Sequence, residues 1–160
     1  MRTIRFVPAL LLLLAACGTA PDPTTGATPS RSATLDLAGR AGDTVWVIVN
    51  TVRADRREQF ERFIETFWRL GTDFGTRQDP LILRTFRRTR ALRPIQQNPD
   101  GTWTYVFVMD PRVSGAEYDI ATVLRRMVPA DSANALFESF RSSLVGNQQA
   151  WLTVQALPHP

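Results

Sequence analysis

The stretch 44–52, reading TVWVIVNTV, constrains this chain more than any other. Every residue in it except Trp46 and Asn50 is β-branched, which is strand composition. Alternation puts Val45, Val47 and Val49 on one face and Trp46, Ile48 and Val52 on the other. A strand that is apolar on both sides belongs inside a sheet with cover over both faces. The residues that follow must therefore supply flanking strands and a covering layer.

They do so in a readable order. Asp55 and Glu58 have capping-box spacing, and Phe60, Phe63, Ile64 and Phe67 recur at helical intervals. Opposite charges four apart (Arg57–Glu61, Glu58–Arg62, Glu65–Arg69) suit the outer face. The pattern predicts a helix over 55–72 that ends near Gly71 or Gly75. The apolar and arginine-rich run 81–95 reads as a second strand. Asn98-Pro99-Asp100-Gly101 is a turn signal, and 102–109 reads as a third strand, so the two form a hairpin. Ser114 and Glu117 suggest a cap for a short helix that stops before Pro129, and Asp131 suggests a cap for another that stops at Gly146. Residues 150–157 make a fourth strand, and 158–160 a tail. The order β-α-β-β-α(α)-β is the α+β ferredoxin-like arrangement over 44–157: an antiparallel four-stranded sheet with helices on one face.

Sorting strand residues by alternation gives two sets. One is small and aliphatic, built on Val45, Val47, Val49, Val106, Val108 and Leu152. The other is large and amphipathic, built on Trp46, Ile48, Asn50, Trp103, Tyr105, Phe107 and Trp151. The small set is expected under the helices, whose phenylalanines supply bulk. The large set, with Arg84, Phe86 and Arg88 of the second strand, is expected on the open face. An aromatic face left in water marks an interaction site. Either a second copy or a small aromatic or anionic ligand covers it. The candidate ligand or dimer face is Trp46, Asn50, Arg84, Arg88, Trp103, Tyr105 and Trp151.

Upstream, Arg2 and Arg5 precede an apolar run from Phe6 to Ala16, too short to span a bilayer and laid out as a signal peptide over 1–16. Its end, Leu14-Ala15-Ala16-Cys17, resembles the lipobox of bacterial lipoproteins. The resemblance implies cleavage before Cys17, diacylglycerol on its sulfur, and acylation of the new amino terminus. Several acyl chains anchor a protein stably to a lipid bilayer, where one alone is marginal. Gly18 stands where an inner-membrane retention signal would place Asp, so the family sorting rule implies the outer membrane of the cell envelope. Residues 17–43 are rich in Thr, Pro, Ser, Ala and Gly and read as a flexible tether.

All 19 basic residues are arginine. Two lie in the leader, which leaves 17 against 15 acids, a net charge of +2. The isoelectric point near 10.5 thus reflects arginine chemistry, and nucleic acid is not expected as a partner. The sole cysteine is assigned to lipid, so the domain relies on its core. The one histidine, His159, sits in the tail, which disfavours a haem ligand, a zinc site or a histidine-based triad. No cofactor or metal is expected.

The element order and face pattern resemble the dimeric α/β barrel superfamily, which includes the antibiotic-biosynthesis-monooxygenase-like domains. That resemblance implies two subunits packed sheet to sheet as a homodimer, with small molecules bound between sheet and helices. Two functional readings stand. The first is a non-catalytic binding or assembly domain at the envelope. The second is a cofactor-independent monooxygenase-like enzyme that holds an electron-rich substrate against Trp46, Asn50, Trp103, Tyr105 and Trp151, with Asp110 or Asp119 as base.

Overall fold

The computed structural model describes residues 40–156. The expected signal peptide, Cys17, most of the expected tether and the tail lie outside them. The described chain folds as an α+β ferredoxin-like domain. Strands β1 (Thr44–Val52), β2 (Thr89–Leu92), β3 (Trp103–Met109) and β4 (Gln149–Val154) form one sheet in the order β2-β3-β1-β4. Every neighbouring pair is antiparallel. β1 is central, as its two apolar faces require. Helices α1 (Arg57–Arg77) and α2 (Pro80–Arg88) follow β1, and α3 (Ile120–Met127) and α4 (Ala130–Arg141) follow β3.

The second strand is the largest departure from expectation. Residues 80–88 are helical, and only Thr89–Leu92 pairs with β3. Arg84, Phe86 and Arg88 are therefore helix residues, not sheet residues. Asp79 decides this locally: its carboxylate accepts from the N–H groups of Leu81 (2.9 Å) and Ile82 (3.1 Å), and Pro80 occupies the first turn. Ile82, Thr85 and Phe86 are the buried residues, which is helical spacing. The expected hairpin forms around Asn98–Gly101, with Gly101 at positive φ.

α1 also runs further than expected. Gly71 and Gly75 do not end it; they let α2 approach. A Cβ at Gly71 would lie 2.2 Å from the Phe86 ring, and one at Gly75 only 2.6 Å from the Leu83 backbone nitrogen. At the other end, Asp55 lies in a short 3-10 turn and pairs with Arg53, so no side chain caps α1. Arg57–Glu61 and Glu58–Arg62 pair as expected, whereas Glu65 pairs with Arg93 across to the loop after β2. α3 is capped by Asp119, not Ser114. α4 starts after Pro129, with Asp131 in its first turn.

The two sheet faces are the reverse of the expected assignment. Tyr105, Phe107 and Met109 of β3 and Val52 of β1 are buried under the helices with Phe60, Phe63, Leu124 and Phe140. Trp46, Ile48 and Trp103 pack against the same core. The large side chains, not the small ones, fill the layer between sheet and helices. Register also separates β4 from its expected companions. Leu152 lies opposite Trp46, and Trp151 opposite Val47. Paired residues share a face. Trp151 therefore stands on the open side with Val47, Val49, Val106 and Val108, and Leu152 on the helix side.

Candidate functional site

The helices do not close over the whole inner face of the sheet. Beside β1 they leave an inner pocket of about 70 Å³ and, sharing walls with it, a groove of about 510 Å³. Ile48, Tyr118, Ile120 and Phe140 wall both. The groove alone lies in the range of small-molecule sites, about 300–1,000 Å³.

Asn50 is the most deeply buried of the polar residues that line the inner pocket, which include Thr85 and Gln148. It is 1% exposed. Its Oδ1 accepts from Gln148 Nε2 at 2.7 Å, while its Nδ2 has no protein partner. A buried donor left unmade costs roughly 1–3 kcal/mol. Gln148 comes from the loop after α4, and that loop is tied to β1. Arg53 N–H donates to the Ser143 carbonyl and Val145 N–H to the Thr51 carbonyl, after which Gly146 turns the chain at positive φ.

The mouth is aromatic and carries charges of both signs. Trp46 and Tyr118 meet edge to face at 5.1 Å. The Arg112 guanidinium lies over both rings, 5.6 Å and 5.2 Å from their centroids. Tyr118 Oη accepts from the Val113 N–H at 2.8 Å. Burial pushes its phenol pKa up, and that backbone bond opposes the shift. Two carboxylates also line the groove, and both are engaged. Glu117 accepts from the N–H groups of Tyr118 and Asp119, and Asp119 from that of Thr122.

Of the residues singled out in the sequence, Trp46 and Asn50 meet at this cavity. Trp103 and Tyr105 belong to a different cluster, which pins α1 to β3. Tyr105 Oη donates to Glu61 at 2.6 Å, Arg57 pairs with Glu61 at 3.2 Å, and Arg57 lies 4.0 Å over Trp103. Burial, reinforced by that bond, pushes the Tyr105 phenol up to about 12. The same hydrogen bond holds the Glu61 carboxyl below its usual range. Arg84 and Arg88 lie on α2, and Trp151 on the open face of the sheet. The suggested base Asp110 pairs with Arg90 and does not line the cavity; Asp119 is a helix cap. Sequence reasoning missed Arg112, Tyr118 and Gln148. All three sit in connections, where no periodicity assigns a face.

The arrangement suits binding. The buried polar side chains on its walls are the Asn50 amide and the Thr85 hydroxyl, which can hold a ligand and exchange no proton at neutral pH. Among the described residues, no cluster of three His, Cys, Asp or Glu side chains could hold a metal ion, and no helix is long and apolar enough to cross a membrane.

No protein-family model matches the chain, and neither does any curated protein. Among solved structures, the chain is similar to a protein from Caulobacter crescentus CB15 whose description proposes it as an antibiotic biosynthesis monooxygenase. The two are 9% identical, with a TM-score of 0.37, over 72% of this chain and 92% of that one. The ferredoxin-like fold described here rests on strand order and register.

Proposed function

We propose that this chain is a lipid-anchored protein of the bacterial cell envelope whose domain binds a small, largely apolar molecule without transforming it. The observation that carries the binding reading is the Asn50 Nδ2 donor, buried without a partner in the wall of a largely apolar cavity. A ligand acceptor placed there would satisfy it. The engaged state of Glu117 and Asp119 favours binding over proton-transfer chemistry. Leu14-Ala15-Ala16-Cys17 supports the anchor, and the bilayer is then the first partner. The valine-lined open face supports a homodimer packed sheet to sheet as the second.

The binding reading is tested with an uncharged fluorescent probe, phenylnaphthylamine. Saturable uptake of one molecule per chain, lost in Ala150→Trp, is expected, because Ala150 lines the groove and a large side chain would fill it. Unchanged uptake in Ala150→Trp would place binding elsewhere. For the anchor, palmitate labelling should disappear in Cys17→Ser, and labelling that persists would remove it.

A further inference from the structure

The cavity is largely apolar inside and carries at its mouth two arginines outside any ion pair among the described residues, which narrows what it can hold. Two arginines line the groove: Arg112, after β3, and Arg141, in the last turn of α4. Neither has a carboxylate within ion-pair distance among the described residues. Glu117 and Asp119 share the groove, each accepting from backbone N–H groups at the entry to α3, and neither lies within ion-pair distance of Arg112 or Arg141. Arg112 is held in place by its own surroundings. Its backbone N–H donates to the Thr44 carbonyl at 2.7 Å, and its guanidinium carbon lies 5.6 Å from the Trp46 ring centroid and 5.2 Å from that of Tyr118. A guanidinium fixed this way presents its N–H fork with little further loss of freedom. A planar carboxylate matches that fork with two parallel hydrogen bonds.

We infer that the cavity takes an apolar organic acid: a hydrophobic body in the pocket and groove, with its carboxylate at Arg112 and Arg141. The inference rests on the binding reading above and adds the charge of the ligand to it. Asn50 then meets a second acceptor on the buried part of the same molecule. The ligand is oriented acid outward, since the walls of the inner pocket include the Glu117 carboxylate and no cation.

The test compares two probes that share a hydrophobic frame, anilinonaphthalene sulfonate and uncharged phenylnaphthylamine. Both are titrated into the full-length protein, its Ala150→Trp variant and an Arg112→Gln/Arg141→Gln variant. Hydrogen bonds to a charged partner imply a preference of about tenfold or more for the anionic probe. The double variant should lose that preference, its affinity for the anionic probe falling to that for the uncharged one. Both arginines are exposed, so these changes leave the core intact. Equal binding of the two probes, or a preference that survives in the double variant, would overturn the acid inference and leave the cavity reading standing. Binding of both probes that survives in Ala150→Trp would overturn the cavity reading as well.

Discussion

The two faces of one sheet divide the work of this domain. The face toward the helices carries Tyr105, Phe107 and Met109, each at most 7% exposed, and the aromatic mouth of a cavity. The face away from them carries short, β-branched Val47, Val49, Val106 and Val108, with Trp151 and Leu92 at its edges. Large side chains gather where the space between layers must be filled, because unfilled volume forfeits dispersion contacts. Short ones gather on a surface that stays flat and can be matched by another flat surface. The helix face thus stabilises the fold and surrounds the proposed ligand site, and the open face is the one proposed for a partner.

The comparison is broken most severely by truncation. Phe107→Ala should cost about 3–5 kcal/mol of unfolding free energy, and Val108→Ala, one position along, about 1 kcal/mol, both read by denaturant titration. Equal costs would mean that the faces are not distinct. Next comes Gly75→Ala, where α2 backbone atoms must move. Overpacking should destabilise by about 1–3 kcal/mol, although alanine is the better helix former. On the open face, Val47→Glu should leave stability nearly unchanged and convert the proposed dimer to monomer in sedimentation. A wild-type protein that is monomeric at high concentration would remove the dimer.

A smaller effect is expected on the alkaline side. Tyr105 keeps its proton in the folded state up to about 12, whereas the unfolded chain releases it near 10. The folded state then binds more protons over that window. The stabilisation is complete below the unfolded value and is lost as pH rises from about 10 to about 12. Tyr105→Phe should flatten that part of the stability profile. Smallest is Asn50→Leu, which removes the unpaired donor and should hold stability constant or raise it by roughly 1 kcal/mol.

Much of this architecture is legible in the sequence because burial imposes a period. β1 announces itself by its two apolar faces, α1 by its phenylalanines, and the hairpin by Asn98–Gly101. The faces were misassigned for a physical reason. Alternation sorts residues into two sets but does not say which set the helices cover, and β4 enters one residue out of step with β1. Residues 81–88 misled because a short apolar run such as Leu81-Ile82-Leu83 does not by itself tell a strand from a buried helix. The helix is set instead by the Asp79 cap and by the 82/85/86 spacing of its buried residues. The site was half visible: Trp46 and Asn50 come from a strand, whereas Arg112, Tyr118 and Gln148 arrive from connections that only the fold brings together.

The central claim is that ligand occupies the helix side of the sheet at Asn50 and not the open side. The most direct measurement follows two resonances in one titration, the Asn50 side-chain amide and the Trp151 indole. The titrant is a naphthyl methyl ketone, with naphthalene as the control that lacks an acceptor. The account predicts that the Asn50 amide shifts with the ketone, that it shifts less with naphthalene, and that the Trp151 indole stays still with both. Movement at Trp151 with the Asn50 amide unmoved would contradict it.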